Sequence, residues 1–280
     1  MTAHSASVSV PIFEITGSDV APSLGLRELW TFRELLYFLV WRDVKVRYKQ
    51  TVLGAAWAIL QPVMTMAVFA IFLGRLARVP SDNMPYPLFA FAGLVPWTYF
   101  ATALANGSMS IVGSQQLISK IYFPRLLVPI ASAVTPLVDF ALAMATLVPL
   151  LWWYGVTPGA ALVFLPAFVV LAMATAFAAS LWLATLTVSY RDVRYLVPFV
   201  IQFWMFATPV AYPASLVPER WRVVYGLNPL TGVVEGFRWS IAGGPPPGSM
   251  AGVSAIVVAA MLVTGLIYFR RFEGTFADVI

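Results

Sequence analysis

The sequence predicts an all-α membrane protein: six transmembrane helices, an N-terminal amphipathic interface helix, and re-entrant extracytoplasmic helices between spans five and six. Three observations carry that prediction. The 280 residues are 60% hydrophobic and 10% charged, with mean hydropathy +0.84, whereas a soluble domain carries about 25% charged residues. The apolar residues gather into six runs, each near the ~20 residues that cross a bilayer. The basic residues concentrate in alternate connections between those runs, the pattern that sets membrane orientation.

The elements follow in chain order. Residues 1–23 form a polar tail that holds His4, the one histidine, and no apolar core of a signal peptide. The first span is therefore expected to direct insertion itself. In residues 24–50, Leu26, Leu29, Trp30, Leu36, Tyr37, Val40, Trp41 and Val44 recur at helical spacing. Arg27, Arg42, Lys45 and Lys49 fall mostly on the other side, which predicts a basic amphipathic helix lying in the membrane interface. Such a helix is either a simple anchor or a cytoplasmic collar that gates a pathway or touches a partner.

The six spans are expected at 52–74, 88–109, 126–154, 160–188, 196–214 and 250–269, within a membrane domain of residues 51–272. Pro96 interrupts the second, and Pro198 and Pro209 the fifth, positions where a helix loses a backbone donor. With the N-terminus inside, the inner segments hold 12 of the 17 Lys and Arg residues and the outer ones five. Both termini, including residues 273–280, are then expected in the cytoplasm. Trp152, Trp153 and Tyr154 end the third span and suit an interfacial aromatic belt.

Much chemistry is excluded. No cysteine is present, so disulfides and thiol nucleophiles are ruled out. The lysines are Lys45, Lys49 and Lys120, and no Gly-rich P-loop occurs, so the chain cannot cradle ATP in that way. No His, Asp and Glu cluster has metal-ligand spacing, and no metal site is expected. The net charge of +5 arises from arginines bordering the spans and gives no ground for a nucleic-acid partner. No enzyme is expected. One acid falls inside a span: Asp139, a dozen residues into the third run and so near mid-depth. A carboxylate there is a functional candidate by default. With no basic residue in the neighbouring spans, its expected partners are Gln61, Thr135, Thr146 or water. It either lines a hydrated pathway or serves a structural hydrogen bond.

Two connections stand out. GSQQLISKIYFPRLL, residues 113–127, places Leu117, Ile118, Ile121 and Tyr122 beside Gln115, Gln116, Lys120 and Arg125. It predicts a short amphipathic helix at about 114–125, ended by Pro124, of a kind that fits a groove in a soluble partner. The second is the outer connection 213–247, too long for a turn and too apolar for a solvated loop. There Asn228 can cap a helix, Pro229 fits its first position, and Glu235 and Arg238 can pair weakly at i, i+3. The reading is a re-entrant or interface-lying helical hairpin at about 215–243 that closes the outer mouth.

The runs WRDVKVRYKQTVLGAAWAILQPV, ISKIYFPRLLVPI, SYRDVRYLVPFVIQFWMFATPVAYP and LNPLTGVVEGFRW resemble landmarks of the permease subunit of type-2 ABC exporters. The resemblance is greatest to the branch that exports polysaccharides such as O-antigen, capsule or teichoic acid, and it covers roughly residues 26–272. It implies a homodimer in a bacterial inner membrane, with a separate ATPase subunit bound to each copy. ATP and Mg would then be bound by the partner, with no cofactor in this chain. It makes Gln115, Gln116, Ile118, Lys120, Ile121, Tyr122 and Arg125 the coupling helix that receives nucleotide-driven motion. Asn228, Pro229, Glu235 and Arg238 become part of an extracytoplasmic gate. A lipid-linked glycan would enter near the amphipathic helix, with Arg27, Arg42 and Lys45 attracting its pyrophosphate or the anionic lipids around it. Trp57, Gln61, Trp97, Asp139, Phe199, Phe203 and Trp204 are then candidates to line the channel, where rings stack weakly on sugars. The alternatives are a permease for lipids or drugs, an integral membrane transferase using Asp139, and a membrane scaffold that transports nothing.

Overall fold

A computed structural model describes residues 26–49, 54–243 and 246–276, and the polar tail with His4 and the last four residues lie outside them. The described residues are helical or irregular, with no strand among them. Helix α1 (Leu26–Thr31) bends at Phe32 into α2 (Arg33–Tyr48). Among the described residues, five helices are long and apolar enough to cross a membrane: Ala56–Leu76, Tyr86–Gly113, Leu127–Trp153, Ala160–Ser189 and Gly248–Glu273. The first is α3 (Ala56–Phe69), which runs on into a π-helical stretch at Ala70–Leu76. Next come α4 (Tyr86–Gly113) and the short α5 (Gln115–Ile118). The third is broken into α6 (Leu127–Val134) and α7 (Leu137–Trp153). A 3₁₀ turn leads into α8 (Leu165–Ser189).

The expected fifth span is shorter than anticipated. Helix α9 (Val193–Ala207) has 15 residues, about 22 Å of helix against a hydrocarbon core of ~30 Å. The cause is Pro209, which forces Thr208 into an extended conformation (φ −104°, ψ 143°). Beyond it lie α10 (Glu219–Tyr225), α11 (Pro229–Ala242) and α12 (Gly248–Glu273).

Helix α4 is the hub. It packs on α8, α6, α11, α7 and α3, and 78% of its apolar window is buried, against 6% for the first span. Pro96 does not break it, because the ring sits in a fully packed helix with Phe91, Leu94, Phe100 and Leu104 buried around it. Helix α11 is packed into the bundle. Leu230, Val233, Val234, Phe237 and Ile241 are buried in one core with α4, α8 and the partly buried side of α9.

A second core forms where α2, α4, α6, α8 and α12 meet. Leu39, Ile111, Ile118, Phe123, Leu181 and Phe269 pack together there. It draws in aliphatic residues of α1 and α2, namely Leu29, Leu35, Leu36 and Val40. The apolar face expected for that helix is therefore divided. Its aliphatics grip the bundle, while Trp30, Tyr37 and Trp41 are exposed, and Tyr37 and Trp41 stack with centroids 6.4 Å apart. Aromatic rings left outside the bundle suit the bilayer interface.

Candidate functional site

The third span is kinked where Pro136 interrupts it. Tyr99, on α4, donates its hydroxyl to the Ala133 carbonyl at 2.9 Å, a carbonyl next to the break. Helix α7 starts again at Leu137, which puts Asp139 in a first helical turn, where the helix dipole favours a carboxylate. The expected partners of Asp139 are not the ones found. Arg47 Nη2 lies 2.7 Å from Asp139 Oδ2, and the Tyr48 hydroxyl donates to Oδ1. The partner comes from α2, whose last turn reaches the level of the first turn of α7, not from a neighbouring span. Burial, aided by the bond to Asp139, pushes the Tyr48 hydroxyl up to about 12.

These groups border a cavity of about 410 Å³ between α2, α3, α4 and α7, which is also lined by Trp57, Gln61, Trp97 and Thr102. Four of the expected channel residues, Trp57, Gln61, Trp97 and Asp139, thus meet in one place. The other three do not. Phe199 and Phe203 project from the exposed side of α9, each 67% exposed. Trp204 packs edge-on against Phe100 at 5.1 Å and donates Nε1–H to Asn228 Oδ1 at 2.9 Å.

Asn228 joins two elements. Its Oδ1 accepts the Leu230 N–H at 3.2 Å, capping α11, while Nδ2 donates to the Ala207 carbonyl and to Thr208 Oγ1 at 3.0 Å each. The free end of α9 and the start of α11 are thereby tied by one side chain. Pro229 occupies the first turn of α11, where a missing N–H costs nothing.

The Glu235–Arg238 pair is not the weak surface contact expected from its spacing. Arg238 is 4% exposed. Its Nη1 donates to Glu235 Oε1 at 2.9 Å and to the Pro209 carbonyl at 2.6 Å, Nη2 to the Val210 carbonyl at 2.6 Å, and Nε to the Phe89 carbonyl at 3.3 Å. The guanidinium also lies 3.6 Å from the Phe89 ring centroid. Burial pulls its pKa below the usual arginine value and Glu235 opposes that. A guanidinium starts so high that it stays charged. The fork thus bonds carbonyls beyond the end of α9 and locks α11 to α4. Gly93 makes room: a Cβ there would stand 2.6 Å from Arg238 Nη2.

The helix expected over 114–125 is one turn, α5, ending at Ile118. Ile118 and Phe123 are both buried, so the chain between them loops outward. Gln115, Gln116, Lys120, Ile121 and Tyr122 are exposed. Arg125 behaves differently: its guanidinium donates to the Glu273 carbonyl, and its backbone N–H to Glu273 Oε1 at 3.2 Å. Of the three basic residues expected at a headgroup site, Arg42 and Lys45 border one shallow cleft with Trp41. Arg27 is exposed on α1 and does not border that cleft. Arg42 pairs with Asp43 at 2.8 Å.

Sequence reasoning missed Arg47 and Tyr48. Their signal was present: they end the basic helix, and a carboxylate at depth needs a cation from somewhere.

Several apolar helices around a buried central one, with a cavity holding an ion pair opened against a basic helix, define a multi-pass membrane protein. The chain belongs to the ABC-2 type transporter family, whose signature it matches over residues 34–242. It is similar to the O-antigen export system permease protein RfbA of Myxococcus xanthus, 32% identical over 216 residues, covering 76% of this chain and 82% of that protein. A protein of the same description from Klebsiella pneumoniae is 26% identical over 248 residues, covering 88% and 95%. The polysialic acid transport protein KpsM of Escherichia coli is 22% identical over 243 residues, covering 83% and 91%.

Proposed function

We propose that this chain is the membrane subunit of an ATP-driven exporter that moves a lipid-linked polysaccharide of O-antigen type across a bacterial inner membrane. Two copies form the channel at their interface. A separate ATPase subunit on each copy binds ATP and Mg and performs hydrolysis. Both termini face the cytoplasm, in keeping with the 12 inner and five outer basic residues. The names of the relatives support the cargo class.

One observation carries the mechanical part. The segment from Ser119 to Tyr122 projects from the bundle, yet both its ends are anchored: Ile118 and Phe123 in the cytoplasmic core, Arg125 on the end of α12. A load applied at Lys120, Ile121 and Tyr122 is therefore passed to α4, α6 and α12 together. The partner's nucleotide state can bias the bundle only through contacts that differ between its states, and an exposed loop on rigid anchors supplies such contacts. At the other end, Asn228, Pro229, Glu235 and Arg238 hold α11 as an extracytoplasmic gate. Arg27, Arg42 and Lys45 draw the anionic headgroup towards the bundle.

The test is cross-linking. Ile121→Cys or Tyr122→Cys, in a chain with no other cysteine, should form an adduct with the ATPase subunit in membranes that export the polymer. An export-competent complex giving no adduct at either position, or export by this chain alone, defeats the reading.

A further inference from the structure

Thr98, Thr102, Asn106, Ser110 and Ser114 follow one another at four-residue intervals along α4 and its C-cap. That interval returns to nearly the same helix face, so hydroxyls and an amide form one polar strip about 24 Å long on an otherwise apolar helix. Two cavities lie over it. Thr98 and Thr102 face the 410 Å³ cavity already described. Thr102, Asn106, Ser110 and Ser114 face a second, of about 570 Å³, closed on the other side by Arg42 and Asp43 of α2. Among the described residues, Arg47 and Thr102 border both cavities. The Arg47 side chain, which reaches both, is held on Asp139 at 2.7 Å with Tyr48 on the same carboxylate.

Asn106 indicates what fills the strip. It is exposed, and its side-chain amide has no hydrogen-bond partner among the described residues. It lies seven residues inside the end of a spanning helix, about 10 Å in. An amide left unpaired against lipid at that depth is expensive, so this face meets water or a polar ligand.

We propose that the Arg47–Asp139 pair is a removable partition. When it parts, the two cavities join into one wetted groove along α4 that takes a polyhydroxylated chain. The strip offers a hydroxyl or amide about every 6 Å, so a sliding sugar polymer exchanges one hydrogen bond for the next without being held at any one point. The pair is partly exposed on both sides, 39% for Arg47 and 19% for Asp139, and ion pairs of that kind are weak enough to open. The identity of the ligand rests on the export reading above; the partition does not.

Labelling tests it without transport or an ATPase, so its failure leaves the export reading standing. Thr98→Cys lies behind the partition and Asn106→Cys before it. In the full-length chain in sealed membranes, a water-soluble, charged methanethiosulfonate is added from the side of α2. Thr98→Cys should react slowly with the pair intact and about fivefold faster when Asp139→Asn or Arg47→Ala is added, the factor expected from a pair of ~1 kcal/mol. Asn106→Cys should react at one rate throughout. The exchanged pair, Arg47→Asp with Asp139→Arg, should restore slow labelling. Leu104→Cys, at a fully buried position, reports on the fold, and only variants in which it stays unreactive are scored. Since Asp139→Asn is nearly isosteric, it decides the matter if Arg47→Ala unfolds the bundle. Equal rates at Thr98→Cys with and without the pair, or no restoration on exchange, overturn the proposal.

Discussion

Two arginines of this chain sit in very different surroundings, and the difference sets what each can do. Arg238 is enclosed, with three backbone carbonyls, a carboxylate and a ring around one guanidinium. Removing a buried charge partner of this kind costs ~3–5 kcal/mol, because the remaining groups lose their bonds without regaining water. Arg238→Leu should therefore lower the apparent melting temperature in detergent sharply. Arg238→Lys should rescue little, since an ammonium cannot reach the fork's separate acceptors; a lysine variant as stable as the parent would show that the fork geometry is unimportant. Arg47 is part-exposed and its pair with Asp139 is correspondingly weaker. Its neighbour Tyr48 gives a pH signature. The hydroxyl keeps its proton up to about 12 when folded and to 10.0 ordinarily. The contact is thus fully present below pH ~10 and lost as the pH rises through ~12. A difference absorbance titration against Tyr48→Phe should show the phenolate appearing near the higher value; appearance near the ordinary one would mean that Tyr48 is not held on Asp139.

Helix pairing shows the same dependence on detail. Helices α11 and α12 approach closely at Gly232, where a Cβ would meet Ser254 Cβ at 2.7 Å and Ala251 Cα at 3.0 Å. Ser254 Oγ also accepts the Gly232 N–H at 3.1 Å. Gly252, in the same α12, has open space around it. Gly232→Ala should cost ~1–3 kcal/mol by overpacking, whereas Gly252→Ala should be neutral or stabilise by up to ~1 kcal/mol through helix propensity. Thermal inactivation of the two variants side by side checks this, and equal effects would contradict the close approach. What the sequence disclosed about these elements follows from how local each signal is. Asn228 and Pro229 announced the start of α11 because capping involves only neighbours. The burial of α11 was not announced, because Arg238 finds its acceptors on residues 89, 209 and 210, far along the chain. Pro96 suggested a weak span and α4 is the hub, since packing on every side outweighs one missing donor. Asp139 was recognisable as costly, but Arg47 lay 92 positions away with nothing local to link them.

Taken together, the described bundle is lopsided. Helices α4, α7, α8 and α11 supply most of its main core, while the first span and the outer side of α9 leave Trp57, Met64, Phe72, Phe199, Phe203 and Phe206 uncovered. In the proposed homodimer a second copy covers part of this surface. Met64→Cys and Phe203→Cys, each the sole thiol in its chain, should then give a covalent pair of chains on oxidation in membranes for at least one position. Monomers alone for both would place the interface elsewhere.

The first span, so little of it enclosed by its own chain, has a practical corollary for anyone handling the protein. A rod gripped on one edge takes its bearing from whatever solvates the remainder. Swapping bilayer for detergent should therefore unsettle residues 56–76 before any other crossing segment, visible as early deuterium uptake there while 86–113 stays protected.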